Sequence, residues 1–319
     1  MFLNEKIFIS HIKKLKHFEN NPHVAVGVSG GPDSMALVYL LNKWIKFKKG
    51  KITALVFNHE IRPNSKVEAF QVKDMLTDLD IESVIIKPNK NKLIKKNMAN
   101  ARNNRFDGMI NFCKKKNILH LFLGHHFDDN LETFIIRKIS GSNIDGLNSI
   151  SKTTYFKNIQ ILRPLIEINK TTILNFNKKN KLKFINDPSN KDINYTRVKT
   201  RRFLENKNYK EDVKNDFLSI RKKIPLYKKM IWELLILNLI DVSSKRIKIS
   251  FNKLIQLDDL IIEKHILCIL KYLTKKRTYT KSSKIMIFID MLKTSNFKTF
   301  NLSGVNIQKS SYFLIFSQK

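Results

Sequence analysis

Apolar residues in the first half of the chain come in short runs, separated by longer stretches with helical spacing. The run His23–Ser29 (HVAVGVS) reads as a buried strand, and Ser34–Phe47 reads as a helix with Met35, Leu37, Val38 and Leu41 on its inner side. The alternation continues with strand Lys51–Asn58, helix Lys66–Leu79, strand Glu82–Lys87, helix Asn97–Lys116, strand His120–Leu123 and helix Asp128–Ile139. Strands alternating with helices in this way predict an α/β fold built on a doubly wound, mostly parallel sheet. Ligands of such sheets sit beyond the carboxyl ends of the strands.

From about Asp212 the texture changes. Helical patterns run over Val213–Ile240 and Leu257–Leu273, and the tail Thr299–Phe316 alternates and turns around Ser303-Gly304 as a small hairpin would. This predicts two domains, 1–210 for the α/β part and 211–319 for a smaller, mainly helical part, in keeping with a length of 319 residues. The longest apolar stretch, Met230–Ile240, is too short to span a bilayer and contains Glu233, so it reads as a buried helix. The amino-terminal run is broken by Glu5 and Lys6 and does not read as a signal peptide. A protein without membrane association, in the cytoplasm, is the expectation.

Composition changes this picture little. Hydrophobic residues make up 42% and charged residues 27%, an ordinary globular balance. Charge says more. Sixty Lys and Arg stand against 27 Asp and Glu, for a net +33. Such a field attracts polyanions and can hold RNA through its phosphates. The same chain is rich in Lys, Asn, Ile and Phe throughout, so compositional drift accounts for part of the excess. Cys113 and Cys268 are the only cysteines and make no CxxC pair. That argues against a zinc ribbon, an iron–sulfur site, a redox dithiol or a disulfide framework.

The sharpest chemical signal is Val28-Ser29-Gly30-Gly31-Pro32-Asp33-Ser34, between a strand and a helix. Two glycines let the backbone turn tightly and bring N–H groups to phosphate oxygens, and the helix that follows adds the positive end of its dipole. Ser29 and Ser34 can donate hydroxyl bonds; Asp33 can hold Mg²⁺ or a cationic group. Neither GxxxxGK[ST] nor GxGxxG is present. A second cluster is Gly124-His125-His126-Phe127-Asp128-Asp129-Asn130-Leu131-Glu132-Thr133. Asp129 and Glu132 are three apart and share a helix face, where two carboxylates can bind Mg²⁺ or orient an amine; helix capping by Asp128 or Asp129 is the plainer reading. A third holds Arg102 and Arg105 on one predicted helix face, suited to phosphate or simply a basic surface. The fourth runs from Arg163-Pro164-Leu165 through Asp187-Pro188-Ser189-Asn190 to Tyr195, Arg197, Lys199, Arg201 and Arg202. Arg197 and Arg201 are four apart, so a helix aims them together, toward RNA or toward solvent.

SGGxDS after a strand resembles the PP-loop family of ATP pyrophosphatases, whose fold is of the adenine nucleotide alpha hydrolase type. The whole series is SGGPDS, Asn58-His59 with Arg62, AR..RF, GHHFDDNLET, Gly146-Leu147, RPL, DPSN and Y.R...R. It is similar to the tRNA(Ile)-lysidine synthetases over about residues 22–202. That family commonly carries Arg-Gly in the loop where this chain has Ser140-Gly141. The resemblance implies ATP cleavage between the α and β phosphates. AMP would pass to the C2 oxygen of the wobble cytidine in tRNA(Ile) with a CAU anticodon, and L-lysine would then displace it, changing decoding from AUG to AUA. It implies ATP binding by Ser29, Gly30, Gly31, Pro32, Asp33, Ser34 and His125. It implies catalytic roles for Asp33, Asp129, Glu132 and Arg105, and tRNA binding by Arg197, Lys199 and Arg201. Mg²⁺ would be held by Asp33 or by Asp129 and Glu132, or one of the latter pair would meet the lysine amine. A monomer and a homodimer both remain open. A different PP-loop enzyme is the nearest alternative, although thiolating relatives generally use cysteines absent here; a non-catalytic RNA-binding protein is the other.

Overall fold

The computed structural model of the chain describes residues 2–15, 18–58, 65–88, 98–185, 196–275, 280–294 and 297–318, with backbone alone for 98–102. His59, Arg62, the segment Asp187–Asn190, Tyr195 and the side chain of Arg102 therefore lie outside the described residues. The chain divides into two compact units, Met1–Ile220 and Arg221–Lys319.

In the first unit the helices are α1 (Glu5–Lys13), α2 (Pro32–Phe47), α3 (Ser65–Thr77), α4 (Met98–Lys115), α5 (Phe127–Ile139), α6 (Ile144–Leu147), α7 (Lys170–Lys179) and α8 (Thr196–Phe203), with α9 (Lys207–Asn238) following. The strands are β1 (His23–Val28), β2 (Lys51–Phe57), β3 (Ser83–Ile86), β4 (His120–Leu123), β5 (Thr153–Phe156) and β6 (Ile159–Leu162). They form one sheet in the order β3-β2-β1-β4-β6-β5, parallel except for the edge strand β5. Val24 pairs with Ile52 on one side and His120 on the other.

Strand pleating explains the layers. Val24, Val26 and Val28 point to one face, where Phe8, Leu37, Leu41, Val72 and Ile173 of α1, α2, α3 and α7 cover them. Ala25 points to the other face, with Met109, Ile110 and Cys113 of α4. Burial pushes the Cys113 thiol up to about 12, so it packs as a small apolar group. Both faces of β1 and β4 are therefore dry, which is why their sequences read as continuous apolar runs. The chain moves from β1 outward to β2 and β3, then returns to place β4 on the opposite side of β1. The crossovers leave β1 and β4 in opposite directions, and a crevice opens at their carboxyl ends.

The second unit contains β7 (Leu239–Val242), β8 (Arg246–Ser250), α10 (Phe251–Ile255), α11 (Asp259–Thr274), α12 (Ser282–Thr294), β9 (Thr299–Leu302), β10 (Val305–Lys309) and β11 (Phe313–Gln318). Its five strands are antiparallel in the order β7-β8-β11-β10-β9. Ile262, Ile266, Ile269, Phe288 and Ile289 pack against Ile249, Ile307 and Phe316. β9 and β10 form the hairpin around Ser303-Gly304, where φ is +54° and +85°, the two positive angles that a type I′ turn requires.

One expectation is corrected. Met230–Ile240 is not a buried helix: Ile231, Leu235 and Asn238 are buried and Leu239 packs against the second core, while Trp232, Ile236 and Leu237 are 54%, 63% and 64% exposed. Helical periodicity turns most of a largely apolar run away from the core when that helix is covered on one side alone. Among the described residues no helix is long and apolar enough to cross a membrane.

Candidate functional site

β1 runs directly into Ser29-Gly30-Gly31, and α2 begins at Pro32, a residue suited to a first helical position because its missing N–H would have no partner there. Gly30 has φ +82°, and a Cβ on it would stand 2.4 Å from Cγ2 of Val72. Its carbonyl accepts the Ile185 N–H at 2.8 Å. The Ser34 hydroxyl donates to the Gly31 carbonyl at 2.9 Å and accepts the Ser29 N–H at 3.2 Å, with Ser29 Oγ 3.3 Å away. Asn177 Nδ2 donates to the Pro32 carbonyl at 2.8 Å. The loop is thus held in shape from α2, α3 and α7, ahead of a helix N-terminus that favours anions.

Across the crevice β4 runs into Gly124-His125-His126 and α5. A Cβ on Gly124 would lie 3.2 Å from the Asp33 backbone, so glycine lets the end of β4 close on the first turn of α2. His126 caps α5. Its N–H donates to Asp129 Oδ2 at 3.0 Å, and its ring lies among three carboxylates: Nε2 is 3.7 Å from both Asp33 Oδ1 and Asp129 Oδ2, and Nδ1 is 3.8 Å from Asp128 Oδ2. His125 is half-buried beside it.

Three of the acidic groups carry a cation drawn from later in the chain. Lys170 Nζ donates to both oxygens of Asp33 at 2.7 and 2.6 Å. Arg201 Nε donates to Glu132 Oε1 at 2.6 Å, and Glu132 Oε2 is buried without a hydrogen bond. Lys210 Nζ bonds Asp128 Oδ1, whose Oδ2 accepts the Lys170 N–H at 2.8 Å. These contacts sort the carboxyls. Burial would raise Asp128, but the bonds from Lys210 and the Lys170 backbone outweigh it and hold Asp128 below the ordinary range. Burial would likewise raise Asp129, but the charges of His126 and His125, the His126 N–H and Arg197 hold it low. At Glu132 burial wins: the carboxyl is pushed up despite Arg201 and Arg197. Burial opposes the charge of Arg201 too, yet Glu132, Asp129 and Asp33 raise its pKa.

The structure thus brings Asp33, Asp129, Glu132, His125, Arg197 and Arg201 to one end of the sheet with the two-glycine loop. It does not bring Lys199 there: that side chain is exposed on the other side of α8. Arg105 is half-buried on α4, which covers the opposite face of the sheet from α2. Arg163 is spent on structure, with Nη1 donating to the Ser151 carbonyl at 3.0 Å and to Thr154 Oγ1 at 3.2 Å. A cleft of about 430 Å³, lined by Asn58, Lys66, Ala69, Phe70, Ile85 and Lys87, opens beyond the ends of β2 and β3. Gly30 touches α3, the helix that carries Ala69 and Phe70, so the loop and this cleft share a wall.

Lys170 and Lys210 were not singled out by sequence reading. The local hint is slight: both lie in the first turn of a helix, where the dipole disfavours a cation and an acidic partner offsets it.

Residues 4–208 match the model of the PP-loop domain family. A tRNA(Ile)-lysidine synthase from Orientia tsutsugamushi (strain Boryong) is 35% identical over 198 residues, covering 62% of this chain and 45% of the relative. One from Wolbachia pipientis wMel is 35% identical over 202 residues, covering 63% and 47%, and one from Rickettsia bellii (strain OSU 85-389) is 33% identical over 221 residues, covering 66% and 50%. The matched segment spans about half the length of these relatives. Among solved structures, the U34-tRNA thiolase NcsA from Methanococcus maripaludis, with its [4Fe-4S] cluster, superposes with a TM-score of 0.56 at 19% identity over 68% of this chain and 78% of that one, a likeness of fold. With a two-glycine loop at the switch point of a parallel sheet and a family match over most of the first unit, the chain belongs to the PP-loop family.

Proposed function

We propose that this protein is a tRNA(Ile)-lysidine synthetase: it joins L-lysine to C2 of the wobble cytidine of a tRNA(Ile) with a CAU anticodon, at the expense of ATP. One observation carries the reading. An anion-binding loop and the acidic side chains of Asp33, Asp129 and Glu132 meet at one point of the sheet, so the site can grip a polyphosphate and a cationic amine side by side. The relatives named tRNA(Ile)-lysidine synthase support the choice of substrates.

The chemistry follows from the electrophile. The C2 carbonyl of cytidine resembles a urea and has no leaving group. Attack of its oxygen on the α-phosphate of ATP expels diphosphate and leaves an adenylated cytidine. The lysine amine then bonds to C2 and AMP departs. In this reading the loop from Ser29 to Ser34 cradles the phosphates with backbone N–H groups, and Lys170, beside Asp33, adds a cation. Asp129, held ionised, suits the lysine ammonium. Glu132, pushed up by burial, is better matched to take the proton the amine must lose. Arg105 and His125 stay as candidates for nucleotide contact, and Arg197, Lys199 and Arg201 for tRNA contact.

Magnesium fits as an ion carried by the nucleotide. Mg²⁺ needs only one or two carboxylates when phosphates and water supply the rest. Asp33, 3.7 Å from His126 Nε2, is the residue that would hold it, and it would neutralise triphosphate charge there. Among the described residues no group of three or more His, Cys, Asp or Glu is arranged as a complete metal site.

The first unit is proposed to carry the chemistry. The second, with 20 Lys and Arg against 6 Asp and Glu, is proposed to contribute RNA contacts. A cytoplasmic location follows from these substrates. The test is transfer of radiolabelled lysine to tRNA(Ile) with a CAU anticodon, with and without ATP, for wild type and Asp33→Ala. The expected result is ATP-dependent label that the variant loses. ATP cleaved to AMP in the presence of tRNA, without label, would overturn lysine as the nucleophile.

A further inference from the structure

We infer that Phe203 and Tyr209 form a stacking platform for one unpaired base of the RNA substrate, close along the chain to the residues that hold the carboxylate site. This rests on the RNA part of the proposed function and names a site for it. The two rings stack with centroids 4.9 Å apart and planes 12° from parallel, yet Phe203 is 46% and Tyr209 50% exposed. Single exposed apolar residues are common on soluble proteins; two stacked rings that each keep about half of their surface in water offer area on which a third ring can stack.

The corner that presents them is fixed. Leu204 is buried between α8 and α9 with Phe127, Leu131, Phe134 and Phe217. Asn206 Oδ1 accepts the N–H groups of Asn208 and Tyr209 at 3.0 and 3.3 Å, capping α9. Arg201, two residues before Phe203, is bonded to Glu132; Lys210, next to Tyr209, is bonded to Asp128. The rings therefore stand on a corner tied at both ends to α5.

Charge selects the occupant. From Thr196 to Lys210 the cations are Arg197, Lys199, Arg201, Arg202, Lys207 and Lys210, and Glu205 is the sole acid. Lys199, Arg202 and Lys207 are exposed and lie within four residues of one ring or the other along the chain. Exposed aromatic rings in so basic a segment match a base joined to its phosphates. An apolar protein segment would leave those cations without partners.

The experiment measures binding of tRNA(Ile) with a CAU anticodon, and of a short single-stranded RNA, across a salt series for wild type, Phe203→Ala, Tyr209→Ala, Tyr209→Leu and Tyr209→Phe, with thermal melts and lysine transfer alongside. Loss of one stacked base should weaken RNA binding by about 10-fold, within a range of roughly 5 to 150-fold. Tyr209→Phe should retain wild-type affinity. Tyr209→Leu, which keeps an apolar contact with Phe203, should fold like wild type and still lose affinity. The slope of affinity against salt should stay unchanged in these variants, whereas Arg202→Ala should make it shallower by about 0.9 if that residue meets a duplex phosphate. Wild-type affinity in folded Tyr209→Leu and Phe203→Ala would overturn the platform and leave lysine transfer standing. Wild-type protein that binds neither RNA would overturn both. RNA binding lost in the variants of a protein that transfers no lysine would keep the platform and remove the enzyme assignment.

Discussion

Asp129 and Glu132 lie one turn apart on α5 and are pushed in opposite directions. Each is buried. His126, His125 and a backbone N–H compensate the first, while the second is hydrogen-bonded by Arg201 at one oxygen and has its other oxygen buried without a hydrogen bond. A buried charge that loses its partner is costly, so Arg201→Ala should lower stability by about 3 kcal/mol near neutral pH. The sign with pH follows from the raised carboxyl. Glu132 in the folded state holds its proton to higher pH than its ordinary value of 4.5, so its penalty is absent below that value and grows as pH rises through the folded one. Urea unfolding of the variant should therefore show a larger deficit near about pH 7.5 than near about pH 5, and Glu132→Gln added to Arg201→Ala should recover part of it at the higher pH. A deficit independent of pH would show that Glu132 is not the group exposed by the loss.

At the scale of elements, the turn between β1 and α2 depends on one backbone conformation. Gly30→Ala would place a methyl in the left-handed region at φ +82° and against Val72. The conformational part alone costs about 1–2 kcal/mol. Adding Val72→Ala should relieve the contact and leave that part, so the double variant should remain less stable than Val72→Ala in thermal unfolding. Much of this architecture was legible because β1, β2 and β4 are buried on both faces and most helices on one: apolar runs against helical spacing located the elements from β1 to α5. The edge pair β5–β6 and helix α7 carry weaker patterns and were not foreseen. Nor were β7 and β8, since β7 directly continues the apolar pattern of α9. The motif residues showed in the sequence by type and spacing. Their ion pairs did not, because Lys170 meets Asp33 across 137 positions and Arg201, whose spacing pointed to RNA or solvent, meets Glu132 across 69. No local period reports a contact of that length.

The whole molecule carries +33, and only part of that charge can be engaged at one time. Several lysines and arginines are already committed to carboxylates, Lys170, Lys210 and Arg201 among them. RNA affinity should fall at least about tenfold between roughly 50 and 200 mM salt, the effect of about two phosphate contacts, and the slope will count how many are made. Affinity insensitive to salt would assign the basic excess to composition alone.

The pairing of early acids with late bases also sets an order of events during synthesis. Asp33, Asp128 and Glu132 leave the ribosome well before the cations that balance them, and Lys210 is the last of these. Until it emerges, the crevice between β1 and β4 holds acidic groups whose burial is uncompensated. The growing chain thus has reason to keep those groups hydrated until the α8–α9 corner arrives.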